Sequence, residues 1–129
     1  MKRIVLRSLK LIFVLVLIAV VLARASSASA HAFPTAMEPK VGSTVSAAPS
    51  EVRITFNESI EKLFAKLMVS DSAGVEETAA LPALDQDQRT LSVPLKTLSP
   101  GGYKVKWSVV SKDGHRTEGS FSFTVAASP

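Results

Sequence analysis

Tyr103-Lys104-Val105-Lys106-Trp107-Ser108-Val109 decides the fold, because apolar and polar side chains alternate along it without a break. Successive side chains of a strand point to opposite faces, so Tyr103, Val105, Trp107 and Val109 share one face while Lys104, Lys106 and Ser108 share the other. The same period runs outward in both directions. Phe121, Phe123 and Val125 alternate with Ser122 and Thr124; Leu91, Val93 and Leu95 alternate with Ser92 and Pro94. Leu67 and Val69 lie between Lys66 and Ser70, and Val52, Ile54 and Phe56 alternate with Arg53, Thr55 and Asn57. Turn signals separate these runs at Asp71-Ser72-Ala73-Gly74, Ser99-Pro100-Gly101-Gly102 and Asp113-Gly114. Pro94 implies an edge strand or a bulge. Ser59 to Ala65 has room for one helical turn, and residues 75–90 are expected to form a long loop. Short strands with one apolar face make an all-β domain, a small β-sandwich or Greek-key barrel with Tyr103 and Trp107 in its core.

The strands begin only after a different kind of segment. Residues 1–30 have a basic start (Lys2, Arg3, Arg7, Lys10), an unbroken apolar run from Leu11 to Ala23, and small side chains at Ala28-Ser29-Ala30. That is the pattern of a secretory signal peptide cleaved after Ala30. The run is shorter than the roughly 17–20 apolar residues that spanning a bilayer takes. The expected domains are therefore a leader, 1–30, and a mature exported domain, 31–129. Five of the fifteen basic residues and none of the eleven acids lie in the leader, which leaves the mature domain with a formal charge of −1. The high pI belongs to the targeting segment and gives no ground for nucleic-acid binding. With no cysteine in the chain, disulfide staples and thiolate metal sites are excluded.

Only two histidines are present, and both stand in telling places. Cleavage after Ala30 makes His31 the first residue. Its α-amino nitrogen and imidazole Nδ1 then close a six-membered chelate on one ion. His115, in Ser111-Lys112-Asp113-Gly114-His115, supplies a second imidazole, and Asp113 or water a fourth position. Two residues apart in an extended segment, Asp113 and His115 are expected on the same side. Amine and imidazole nitrogens suit Cu(II), which prefers tetragonal coordination. A structural zinc site wants four side-chain ligands, and calcium wants more oxygens than Asp85 and Asp87 provide.

The chain also resembles the CopC/PcoC (YobA-like) copper-resistance proteins. The resemblance is carried by Glu38-Pro39-Lys40-Val41-Gly42-Ser43, by Ala48-Pro49 with Val52-Arg53-Ile54-Thr55-Phe56-Asn57-Glu58, by Leu98-Ser99-Pro100-Gly101-Gly102-Tyr103, by Trp107-Ser108-Val109-Val110-Ser111, and by Asp113-Gly114-His115 with Gly119 and Phe121-Ser122-Phe123. It implies an immunoglobulin-like Greek-key sandwich of about seven strands, with metal ligands at His31, Asp113 and His115 and a lesser candidate at Glu58. The expected function is periplasmic Cu(II) sequestration or delivery by a monomer, not an enzyme, with an inner-membrane copper transporter of the CopD type as partner. Met37 and Met68 are far apart in sequence, which argues for Cu(II) alone, because Cu(I) prefers clustered thioethers. Two alternatives are a copper-dependent oxidative enzyme of the N-terminal-histidine type and a metal-free envelope adhesion module. The first needs large loops, for which the mature domain has little spare chain.

Overall fold

The computed structural model describes residues 1–24 and 31–128. One helix, α1 (Lys2–Arg24), precedes eight strands: β1 (Pro34–Glu38), β2 (Thr44–Val45), β3 (Glu51–Phe56), β4 (Lys66–Asp71), β5 (Ala83–Leu84), β6 (Thr90–Pro94), β7 (Gly101–Val110) and β8 (Arg116–Val125). They form two four-stranded sheets, ordered β1-β3-β6-β5 and β2-β8-β7-β4. Every pairing is antiparallel except β2 with β8. The chain crosses between sheets at each link except the β5–β6 and β7–β8 hairpins.

The alternating residues of the sequence make the core. Val52, Ile54 and Phe56 from β3 and Leu91 and Val93 from β6 face Leu67 and Val69 of β4, Tyr103, Val105, Trp107 and Val109 of β7, and Phe121, Phe123 and Val125 of β8. The ring of Trp107 stands edge-on to Phe56, with centroids 5.4 Å apart. The expected sandwich is therefore present, with two of its eight strands only two residues long.

Three local readings are refined. The turn between Ser59 and Ala65 is a 3-10 helix at Lys62–Phe64. The expected loop at 75–90 contains β5, together with isolated bridges from Glu76 to Ser70 and from Thr78 to Leu95. Pro94 marks neither an edge strand nor a bulge; it ends β6, an inner strand. Its carbonyl accepts from the Ala79 amide on the side where β5 has already stopped, so no ladder bond is lost for want of its N–H.

Helix α1 is longer than the apolar run Leu11–Ala23, because Ile4, Val5, Leu6 and Leu9 extend its apolar surface. The stretch Lys2–Val21 is long and apolar enough to cross a membrane, a property that signal sequences near an N-terminus share. Length therefore does not separate a leader from an anchor here. Among the described residues, the helix contributes none to the sandwich core. Ala28-Ser29-Ala30, the expected cleavage segment, lies outside the described residues.

Candidate metal centre

The site is assembled where the β7–β8 hairpin turns, beside the segment that enters β1. In the hairpin, the Ser111 amide donates to the His115 carbonyl (2.9 Å) and the Gly114 amide donates to the Ser111 carbonyl (2.9 Å). Gly114 holds φ at +89°, a backbone conformation that side chains other than glycine rarely adopt. Asp113 and His115 therefore meet through a tight turn and not, as the sequence suggested, along an extended segment. The Asp113 Oδ2 atom lies 2.9 Å from His115 Nδ1, and Asp113 Oδ1 accepts from the Ser111 hydroxyl and, at 3.3 Å, from the His115 amide. These bonds, that from Ser111 foremost and then those from His115, hold the Asp113 carboxyl down at about 2. An ionised carboxylate only accepts, so His115 Nδ1 is the donor in this bond and Nε2 is the ring nitrogen not engaged by Asp113.

The other half of the site comes from the start of the domain. Ala32 is fully buried, and its carbonyl accepts from Thr117 Oγ1 at 2.7 Å. The Phe33 amide donates to Asn57 Oδ1 (2.7 Å), and the Asn57 amide donates back to the Phe33 carbonyl (2.9 Å). Held this way, the exposed His31 places its ring centroid 4.7 Å from that of His115, with the planes at 73°. Phe33 stands edge-on to His31 on the other side, at 6.1 Å. With metal–nitrogen bonds of about 2.0 Å, two imidazoles in adjacent positions on one tetragonal ion have centroids roughly 4.5 Å apart. The separation of the two ring centroids is close to that value.

Among the described residues, no three His, Cys, Asp or Glu side chains form a ready ligand cluster. The side-chain site consists of His31 and His115, with Asp113 bound to the second ring. Glu58, the remaining candidate, is exposed and directly follows Asn57 after β3. Asp85 pairs with Arg53 at 2.6 Å, and Asp87 caps the amides of Arg89 and Thr90, so both carboxylates have structural work. Met37 and Met68 sit on different sheets, on β1 and β4. Sequence reasoning missed Ser111, Asn57, Thr117 and Ala32. Asn57 and Thr117 act on backbone atoms that only the fold brings close, so no sequence signal marked them.

The chain as a whole is similar to known proteins. The profile of the CopC domain matches residues 35–126. Protein YobA of Escherichia coli K12 is 40% identical over 99 residues, covering 74% of this chain and 79% of that protein. Copper resistance protein C of Xanthomonas campestris pv. juglandis is 37% identical over 117 residues, covering 84% and 91%. The crystal structure of CopC from Methylosinus trichosporium OB3b superposes with a TM-score of 0.69 at 31% identity, covering 74% of this chain and 94% of that one.

Proposed function

We propose, given that the chain belongs to the CopC domain family, that its mature form begins at His31 and holds one Cu(II) ion outside the cytoplasm. Family membership supports the coarse assignment, a copper-handling protein. The finer reading rests on one observation, the pairing of the His31 and His115 rings at 4.7 Å with Asp113 fixed to the second. Two imidazoles alone are a weak site. Removal of the leader frees the α-amino group of His31 as a third nitrogen, and Asp113 acts by orienting His115 through Nδ1. Copper is the cargo. The domain sequesters it in the periplasm as a monomer or delivers it to a membrane transporter of the CopD type, and catalyses no reaction. Glu58 stays outside the ligand set in this reading, as an exposed carboxylate beside the site.

The test is a competition titration of the protein starting at His31 against a chromogenic Cu(II) chelator. One equivalent should bind. His115→Ala should lose more than the roughly 10–100-fold in affinity that removal of an outer hydrogen-bond partner costs. Full affinity in that variant would remove His115 from the site.

A further inference from the structure

We propose that Thr117 and Asn57 set the copper affinity without touching the metal, by fixing the backbone of residues 32 and 33 so that His31 already faces His115 before an ion arrives. This rests on the reading of His31 and His115 as the copper site. The first residue of a domain ordinarily frays unless it is tied down. If copper had to order it, the lost conformational freedom would weaken binding. Here the ordering is done by folding.

Three hydrogen bonds and one buried methyl group do it. Ala32 is fully buried, so its side chain closes the end of the sandwich. Its carbonyl is held by Thr117 Oγ1 at 2.7 Å across 85 positions of sequence. Thr117 lies two residues beyond His115 at the start of β8, so the bond that locates Ala32 also locates it relative to His115. Asn57 does the complementary work at Phe33. The paired register of β1 with β3 begins at Pro34 opposite Phe56, whose own amide donates to the Arg89 carbonyl on the far side, so the next bonds between these segments fall at Phe33 and Asn57. Asn57 extends the pairing by one residue, accepting from the Phe33 amide with Oδ1 and donating its own amide to the Phe33 carbonyl. Both residues act on backbone atoms, so neither role depends on the side chains at 32 and 33 beyond the small size of Ala32.

The experiment compares the wild-type protein starting at His31 with Thr117→Val, which keeps the shape and loses the hydroxyl, and with Thr117→Ser, which keeps it. Two quantities are read: Cu(II) affinity by competition, and the proton–proton NOE between the His31 and His115 rings in the metal-free protein. Thr117→Val should fold, lose the ring contact and bind copper about 10–100-fold more weakly, and Thr117→Ser should restore both. A folded Thr117→Val that keeps the ring contact and wild-type affinity overturns the proposal. If the wild type shows the ring contact yet takes up no copper, the copper reading fails, while loss of that contact in Thr117→Val still supports the positioning role. Should Thr117→Val not fold, Asn57→Ala removes the adjacent acceptor and is judged on the same two readouts.

Discussion

Asp113 decides which nitrogen of His115 it engages, and its carboxylate stays ionised to low pH. Its carboxyl is held down at about 2, first by the Ser111 hydroxyl and then by the ring and amide of His115. A group depressed in this way stabilises the fold above its ordinary value of 3.8 and gives that up only as pH falls through about 2. Acid release of copper near neutrality must therefore come from the nitrogens. Amine and imidazole nitrogens bind copper only in their unprotonated form, so affinity should fall as pH is lowered, followed by chelator competition across buffers. A curve flat from pH 8 to 5 would contradict the donors assigned here. At this scale the sequence was legible for His31 and His115, because they are the only histidines. It was not legible for Thr117 or Asn57, whose partners are backbone atoms brought close only by the fold.

Strands with one buried face announce themselves by their period, and β3, β4, β6, β7 and β8 all do. β1, β2 and β5 do not. β1 begins with Pro34 and buries no residue fully, while β2 and β5 are only two residues long, too short for a period to show. What β1 lacks in pattern is supplied by its pairing with β3 and by the clamp on Phe33. The β7–β8 hairpin carries the proposed metal-binding turn, and in it Gly119 lies opposite Trp107. A Cβ at Gly119 would come within 2.6 Å of Trp107 Cζ2 and 2.9 Å of Cε2. The indole is buried against Phe56 and has nowhere easy to move. Gly119→Ala should therefore destabilise the domain by about 1–3 kcal/mol, as overpacking does. Urea unfolding followed by Trp107 fluorescence measures this, and an unchanged midpoint would show that the ring yields freely.

Across the whole molecule, the proposed copper site lies where the two sheets meet at one end of the sandwich. One ring comes from the segment entering β1 of the first sheet, the other from the β7–β8 turn of the second, and the Thr117–Ala32 bond joins them. Among the described residues, those of the helix at the start of the sequence contribute nothing to the core. In this account its part is played once, when its removal turns His31 from a mid-chain residue into an N-terminus with a free amine. Five of the basic residues would leave with it, so the proposed mature domain carries a formal charge of −1 and net charge would do little to attract copper. The most direct test is an EPR spectrum of the protein starting at His31 with one equivalent of Cu(II), set beside the same protein with one alanine added before His31. A tetragonal, nitrogen-rich signal that changes when the alanine is added is the predicted result. Identical spectra from the two proteins, or copper only loosely held by both, would contradict the N-terminal chelate on which the function is built.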